Sequence, residues 1–232
     1  MSKILFSHSY YYKLDSKQWK TGMPYPPLGT IYAASLMREN GFEVSLFDVC
    51  LKDSPVEIEK ILETEKPDYL VLYDDGFNYL TKMCLTHMRE AAFEMMQMAK
   101  KHACKIIVSS SDSTDHFEQY LNQGADVILL GEGEISLLET VNAFEKQTEL
   151  HEIKGICFQQ ESVINTGKRA VLKDLDTLPQ PAWDLIDIKA YKAIWEQSGN
   201  EFTLNMATTR GCPYHCNWCA KPIYGQRYNL RS

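Results

Sequence analysis

Residues 26–49 read PPLGTIYAASLMRENGFEVSLFDV, and this stretch decides the predicted fold. The two prolines suit the N-terminus of a helix, apolar residues recur at helical spacing from Leu28 onward, and Gly41 ends the helix. The residues that follow alternate in polarity and are rich in β-forming side chains. The pattern therefore predicts a helix over residues 28–40 that leads into a strand over residues 42–49.

The same alternation of strands and helices continues to about residue 150. Near-continuous apolar strands between amphipathic helices indicate a parallel sheet that is covered on both faces. The predicted fold class is α/β, with a doubly wound, five-stranded parallel sheet of flavodoxin-like strand order over residues 1–150. The other predicted strands are residues 3–7, 66–74, 104–111 and 125–132, and the other predicted helices are residues 54–65, 78–102, 114–123 and 134–147.

The pattern changes after residue 150. Residues 151–200 contain short strand candidates, a turn at residues 165–167 and two prolines near Gln180, which is typical of a connector. Residues 201–209 are predicted to form a new buried strand that leads into a cysteine-rich segment. We expect residues 201–232 to begin a second, incomplete domain.

Composition and charge restrict the function classes. The 232 residues are 44% apolar, 11% aromatic and 24% charged, which is typical of a globular protein. The net charge of -7 argues against bulk binding to nucleic acid or to an anionic membrane, because both need clustered basic residues. The apolar runs are shorter than the ~18 residues of a membrane span, and Met1 is not followed by a leader pattern. These features predict a soluble cytoplasmic protein.

Four of the seven cysteines are scattered singly through apolar stretches. Cys50, Cys84, Cys104 and Cys157 have no neighbouring cysteine, so we interpret them as small buried side chains. The methionines of the helix predicted over residues 78–102 recur at spacings of three and four, which likewise predicts a core-facing stripe.

The other three cysteines, Cys212, Cys216 and Cys219, have the spacing C-x3-C-x2-C. Three thiolates on one short loop can converge on one metal centre. Structural zinc needs four ligands, usually in two separated pairs, and only His215 of the same loop could be the fourth. A cubane iron–sulfur cluster held by three thiolates keeps one iron open for a substrate. The spacing favours the open cluster and leaves zinc or simple burial as alternatives.

Residues 210–219, RGCPYHCNWC, resemble the signature of the radical S-adenosylmethionine enzymes. The resemblance implies that Cys212, Cys216 and Cys219 bind a [4Fe-4S] cluster and that Trp218 contacts the bound cofactor. It also implies that S-adenosylmethionine chelates the open iron and that reductive cleavage yields a 5'-deoxyadenosyl radical. An external low-potential electron donor would supply the electron.

The upstream sequence resembles the cobalamin-binding domain that precedes the radical barrel in the B12-dependent branch of this family. The matching stretches are residues 26–49, the SSSD turn, GADVILLGEGE at residues 124–134 and DLDTLPQPAWDL at residues 174–185. Residues 216–232 are similar to proteins of the anaerobic magnesium-protoporphyrin IX monomethyl ester cyclase-like branch. The resemblance implies cobalamin as a further cofactor.

Three loops are candidates for cobalamin contact. Ligands of a doubly wound sheet bind outside the carboxyl ends of its strands, and small residues there let the backbone approach a large flat cofactor. The candidate residues are Pro26, Pro27, Leu28 and Gly29 at the first long helix, Ser109, Ser110, Ser111 and Asp112 after the fourth strand, and Gly131, Glu132, Gly133 and Glu134 after the fifth strand.

Two features depart from the cobalamin-binding pattern. The region after the first strand reads SHSYYYKLD and lacks an Asp-x-His-x-x-Gly motif, so we expect no protein histidine below cobalt and interpret His8 as a strand-end residue. Residues 109–112 stand where relatives often have Gly-Gly-Pro-His. The tyrosines at 10–12, with Trp19 and Tyr25, either wall a planar substrate or pin a loop to the domain.

The resemblance implies the N-terminal part of a cobalamin-dependent radical enzyme that methylates or oxidatively cyclises a small organic substrate. Catalytic side chains are not assigned, and Arg210 is expected either to neutralise the cluster or to be an ordinary surface arginine. A barrel needs ~200 residues and 13 follow Cys219, so we expect no turnover from these 232 residues alone. The alternative is a non-catalytic cobalamin- or partner-binding module with a zinc-binding cysteine loop. A receiver-like domain is disfavoured, because SHSYYY offers no acidic pocket.

Overall fold

The computed structural model describes residues 1–76, 85–212, 214 and 228–231. Five parallel strands come first in the chain, and their order across the sheet is 2-1-3-4-5, which confirms the predicted flavodoxin-like order. These strands are β1 (Lys3–Ser7), β2 (Glu43–Phe47), β3 (Tyr69–Tyr73), β4 (Lys105–Ser109) and β5 (Val127–Leu129).

Helices connect these strands and cover the sheet. Most begin and end close to the predicted residues, and the predicted cap and first-turn pair Ser54 and Pro55 opens a short 3-10 turn before α3. The part of the predicted helix 78–102 that precedes residue 85 lies outside the described residues. The described helices are α1 (Ser16–Trp19), α2 (Leu28–Glu39), α3 (Ile58–Glu65), α4 (Leu85–Lys101), α5 (Ser111–Asp115), α6 (Phe117–Asn122), α7 (Glu134–Lys146) and α8 (Ile188–Gln197).

The sheet has an apolar core on each face, which explains why its strands are apolar at nearly every position. Leu5 of β1 faces the core formed with α3, α4 and α6, whereas its neighbours Ile4 and Phe6 face the core formed with α2 and α7. Met88, Met95 and Met98 of α4 are buried, so the described part of the predicted methionine stripe is confirmed as core.

The predicted five-stranded sheet is corrected to a seven-stranded mixed sheet. Two strands of the predicted connector, β6 (Ile156–Gln159) and β7 (Val163–Asn165), extend it beside β5. Both pair antiparallel. Residues 160–162 join β6 to β7 in a short turn, as antiparallel neighbours allow, whereas α7 lies between β5 and β6 in the chain. The first part of the connector therefore belongs to the sheet.

The predicted helix 114–123 is corrected to two short helices, α5 and α6. The side chains of Ser110 and Ser113 each bond the other's backbone N–H, at 2.8 and 3.0 Å, and this reciprocal cap starts α5 at Ser111. His116, with non-helical backbone angles, separates α5 from α6. The serines after β4 thus start a helix three residues earlier than periodicity indicates.

The predicted buried strand 201–209 is also corrected. Only β8 (Thr209–Gly211) pairs, and its antiparallel partner is β9 (Tyr228–Leu230). Residues 201–208 form no strand. Asn205 Nδ2 donates to the Pro26 carbonyl at 3.0 Å, and Met206 is 83% exposed. The alternating apolar residues of 201–208 therefore belong to a segment on the domain surface and not to a buried strand.

The second part of the connector packs onto the sheet domain. Trp195 Nε1 donates to the Pro24 carbonyl at 2.7 Å, and Tyr191 is fully buried beside Ile186. Tyr10 and Tyr12 are buried in the same apolar cluster. The three tyrosines therefore pin the loop to the domain, as one of the two alternatives predicts, whereas Trp19 of this loop is 47% exposed.

The described single cysteines have the predicted role. Cys50, Cys104 and Cys157 are buried and form no disulfide. Burial raises the pKa of both Cys104 and Cys157 to about 11, so these two thiols stay protonated at neutral pH. Cys84 lies outside the described residues. Within the described part of the chain, no helix is both long and apolar enough to span a membrane.

An ion pair between a partly buried arginine and a buried aspartate fixes the turn after β4. Arg89 of α4 donates Nη2 to Asp112 Oδ1 at 2.5 Å and Nε to Oδ2 at 2.7 Å, and the Tyr120 hydroxyl donates to Oδ2 at 2.9 Å. Burial alone would raise the pKa of Asp112, but these hydrogen bonds hold it below its ordinary value. Because the folded-state pKa is depressed, the pair stabilises the fold above the ordinary aspartate pKa and loses this contribution as the pH falls.

We predict that Arg89→Met lowers the free energy of unfolding by about 3 kcal/mol at pH 7, because it leaves a buried carboxylate without its cation. Urea denaturation measures the loss, which shrinks toward acid pH as Asp112 is protonated. The control Lys192→Met removes an exposed ion pair with Glu196 and costs under about 0.5 kcal/mol. Equal losses in both variants, or a loss that does not change with pH, would contradict this role for Arg89.

Candidate functional site at the carboxyl edge of the sheet

The parallel strands place their carboxyl ends along one edge of the sheet. We call the segments that follow β1, β3, β4 and β5 the carboxyl edge: residues 7–9, 73–76, 109–112 and 131–134. The strand order reverses between β1 and β3, and ligands of doubly wound sheets bind at such a switch point. The carboxyl edge is therefore where a cofactor site is expected.

Hydrogen bonds cross the gap between β1 and β3. Ser9 donates its backbone N–H to Asp74 Oδ1 at 2.8 Å and lies with its hydroxyl 2.9 Å from Oδ2. Burial raises the pKa of Asp74, although the Ser9 bonds act against this shift. His8 is buried with Nε2 2.9 Å from Asp48 Oδ1, and Tyr191 donates to the other oxygen of Asp48 at 2.8 Å. His8 thus lies at the strand end and contacts a carboxylate.

Asp75 occupies the N-terminus of α2. Its carboxylate accepts the backbone N–H groups of Leu28 and Gly29, each at 3.1 Å. A Cβ on Gly29 would lie 3.2 Å from the Asp75 Cα, so the helix start lies directly against the segment after β3. Pro27, Leu28 and Gly29 are all buried. The backbone N–H groups of Leu28 and Gly29 in the first predicted cofactor loop are therefore already bonded to Asp75.

The second predicted loop is also bonded internally. Ser109 is buried, Ser110 takes part in the reciprocal cap with Ser113, and Asp112 is held by Arg89. Ser111, the first residue of α5, is partly buried. The polar side chains that were predicted to meet a cofactor thus fix the β4–α5 turn.

The third predicted loop packs tightly against the second. Gly131 has φ +75°, in the left-handed region that favours glycine. A Cβ on Gly133 would lie 2.9 Å from Ser109 Oγ and 2.9 Å from the ring of Tyr73, closer than real Cβ contacts permit. Glu132 Oε2 accepts the Leu172 backbone N–H at 2.6 Å. The structure brings Ser109 and Gly133 together, as their placement predicts, and leaves no gap between them.

Arg210 joins this edge to the segment that carries the cysteines. Its side chain is 4% exposed; Nη2 donates to Glu134 Oε1 at 2.5 Å, and Nη1 lies 3.9 Å from Glu132 Oε1. Burial raises the pKa of Glu132, whereas the charge of Arg210 lowers it. Arg210 is thus not an ordinary surface arginine, and two carboxylates share its charge.

The cysteine segment starts directly after this ion pair. Arg210 and Gly211 lie on β8, and Cys212 follows with a partly exposed side chain. Cys216, Cys219 and Trp218 lie outside the described residues. Three thiolates suit a [4Fe-4S] cluster chemically. Among the described residues, no three histidine, cysteine, aspartate or glutamate side chains form a metal-binding group.

The described edge does not fit cobalamin in the predicted manner. Backbone N–H groups, hydroxyls and carboxylates of the three loops are bonded to one another or to neighbouring helices, and the Gly133 contacts fill the space at the strand ends. The cobalamin contacts therefore stay predictions from resemblance.

Motif reading missed Tyr73, Asp74, Asp75 and Arg89, which carry many of the contacts of this edge. Glu134 belongs to the third predicted loop, but its contact with Arg210 was not predicted. The sequence contained one signal for two of the missed residues. Asp74 and Asp75 directly follow a buried strand, and this position places their carboxylates at the carboxyl edge. The partners of Arg89 and Glu134 are distant in sequence and follow only from the fold.

No family model matches the chain, but individual known proteins are similar to it in sequence. It is 28% identical over 214 residues to the uncharacterized methyltransferase PH0819 of Pyrococcus horikoshii, an alignment that covers 89% of this chain and 43% of that protein. It is 26% identical over 212 residues to the anaerobic magnesium-protoporphyrin IX monomethyl ester cyclase of Synechocystis sp., covering 89% of this chain and 40% of the cyclase.

Solved structures share the fold. The cobalamin-dependent S-adenosylmethionine radical enzyme OxsB, with aqua-cobalamin and S-adenosylmethionine bound, matches with a TM-score of 0.75 at 21% identity, over 100% of this chain and 30% of OxsB. The radical S-adenosylmethionine methyltransferase TsrM from Kitasatospora setae, with cobalamin and a [4Fe-4S] cluster bound, matches with a TM-score of 0.71 at 16% identity, over 100% of this chain and 44% of TsrM.

The chain spans less than half the length of these relatives. The sequence matches extend over most of the sheet domain, and the structural matches cover all of the chain. Together with the C-x3-C-x2-C segment after β8, these matches identify the chain as a distant homologue of the B12-binding radical S-adenosylmethionine enzymes.

Proposed function

We propose that this chain supplies the sheet domain and the cluster-binding loop of a radical S-adenosylmethionine enzyme. Cys212, Cys216 and Cys219 would hold a [4Fe-4S] cluster. The sheet domain would fix the start of the cluster loop at its carboxyl edge. The enzyme would methylate or oxidatively cyclise a small organic substrate and would receive electrons from an external low-potential donor.

The observation that carries this proposal is the buried Arg210–Glu134 contact. It fixes β8 against the first turn of α7, two residues before the first cysteine of the motif. Because both side chains are almost fully buried, the pair depends on close packing of the β5–α7 loop and β8. The first cysteine therefore starts from a rigid position.

The chemistry of the loop follows from its thiolates. When bound, such a cluster offers an open iron to the amino and carboxylate groups of S-adenosylmethionine and supplies the electron for its reductive cleavage. The chain's own residues position this centre. Glu132 and Glu134 hold the Arg210 guanidinium, and Arg210 holds the backbone that leads to Cys212.

The names of the relatives support the proposed [4Fe-4S] cluster and the proposed methylation or cyclisation reaction. The relatives include an uncharacterized methyltransferase and an anaerobic magnesium-protoporphyrin IX monomethyl ester cyclase, and the matching structures include a radical S-adenosylmethionine methyltransferase with a [4Fe-4S] cluster bound. These relatives extend well beyond the matched region, so the whole reaction depends on residues outside this chain as well.

We predict that anaerobic reconstitution of the chain with iron and sulfide gives a [4Fe-4S] cluster of about four irons per chain. Single Cys212→Ala, Cys216→Ala and Cys219→Ala substitutions should each lower the bound iron and the visible absorption strongly, because every thiolate holds one iron. Iron and sulfide analysis with electron paramagnetic resonance of the reduced sample measures the effect.

The matched control is Cys157→Ala, because this thiol is fully buried in β6 and has no part in the loop. This variant should bind as much iron as the wild type. Stoichiometric zinc in place of iron and sulfide, or unchanged iron content in the three loop variants, would show that the loop is not a radical-enzyme cluster site.

We predict that Arg210→Met lowers the free energy of unfolding of the metal-free chain by about 3 kcal/mol, because two buried glutamates lose their cation. Urea denaturation measures the loss. The control is Arg38→Met, since the ion pair of Arg38 with Asp184 is exposed and costs under about 1 kcal/mol to remove. Similar losses in the two variants would mean that Arg210 does not hold β8 in place.

A further inference from the structure

The carboxyl edge of the sheet is closed by the chain's own side chains. We propose that this closure excludes cobalamin, so that the sheet domain acts as a cofactor-free platform for the cluster loop. The inference concerns residues 1–150 and stands whether or not the cysteines bind iron. It therefore goes beyond the proposed function and separates this chain from relatives that hold cobalamin.

The first closure spans the switch point. Ser9 at the end of β1 and Asp74 at the end of β3 are joined through a backbone N–H and a hydroxyl, with donor–acceptor distances between 2.8 and 3.0 Å. A ligand in this crevice would have to break these bonds. The partly buried Asp74 carboxylate would then lose its described donors, which is costly in a site with little water.

The second closure caps α2. Asp75 accepts the N–H groups of Leu28 and Gly29, the donors that the start of this helix would otherwise present to a ligand. The carboxylate is negatively charged and matches the positive end of the helix dipole, so it is a strong competitor for this position. The side chain of Asp75 is buried, and the residue leaves no room beside the Gly29 Cα.

The third closure fills the strand ends of β3, β4 and β5. Tyr73 and Ser109 lie so close to Gly133 that a single methyl group on this glycine would clash with both. Tyr73 and Ser109 are each 6% exposed. A nucleotide tail or a ring system is far larger than a methyl group, so it could enter here only if the loop and the tyrosine both moved away.

Two further elements cover the closed edge. Leu28 lies in one apolar cluster with Tyr10 and Tyr12 of the loop after β1 and with Ala182 and Ile186 of the connector. These side chains are all at least nine-tenths buried. Opening the edge would therefore expose apolar surface as well as break hydrogen bonds, and both changes oppose entry of a cofactor.

The test is an anaerobic titration of the full chain with hydroxocobalamin, followed by amide hydrogen exchange with and without excess hydroxocobalamin. We expect no one-to-one complex by absorption after desalting. We also expect slow exchange at the amides of Ser9, Leu28 and Gly29, because Asp74 and Asp75 accept their N–H groups, and no change in this exchange when hydroxocobalamin is added.

The control variant Asp75→Ala removes one acceptor. It should speed exchange at Leu28 and Gly29 and leave exchange at Ser9 slow, which ties the protection to the described bonds. Stoichiometric hydroxocobalamin binding by the wild-type chain would overturn the proposal. Fast exchange at all three amides without binding would also overturn it, because the edge would then be open and closure would not be the cause. Both measurements are made without iron. A result that overturns the exclusion of cobalamin therefore does not affect the assignment of the [4Fe-4S] cluster to the cysteines.

Discussion

The buried contact between Arg210 and Glu134 is the interaction that holds the strand before the cysteine segment against the sheet domain. A guanidinium that is almost fully removed from water must be paired, and Glu132 before α7 and Glu134 at its first position face it with their carboxylates. These glutamates are positioned in turn by β5, which ends at the carboxyl edge of the sheet, and by the start of α7. The doubly wound sheet and the strand that leads to the cysteine segment are thereby connected through this ion pair.

The carboxyl edge uses its polar groups to hold the protein together. In a doubly wound sheet the switch-point crevice is the expected ligand site, because N–H groups and small side chains are free there. Here Asp74, Asp75 and Asp112 accept the available donors from Ser9, the start of α2 and Arg89. This chain thus combines a fold that it shares with proteins solved with cobalamin bound and a set of edge residues that bond to each other. Fold similarity at 16–21% identity shows the architecture only. Whether a cofactor binds depends on the side chains at this edge.

Most of the fold follows from the sequence because its signals are local. Periodicity and caps place α2, α7 and the parallel strands, and the alternation of strands and helices gives the strand order. The errors have non-local causes. Residues 156–165 join the sheet because the edge of β5 was available for pairing, and residues 201–208 follow the domain surface although their pattern resembles a strand. At the site, the cysteine spacing is readable in the sequence, whereas Arg89–Asp112 and Arg210–Glu134 join residues that only the folded chain brings together.

The central claim is that the cluster loop lies at the carboxyl edge of the sheet domain. Paramagnetic broadening of amide resonances by the reconstituted cluster tests it most directly, because the effect falls steeply with distance from the iron. The account predicts strong broadening for residues 131–134 and unchanged linewidths for Lys3 and Lys105 at the opposite end of the strands. Equal broadening at both ends of the sheet, or broadening confined to Lys3 and Lys105, would contradict it.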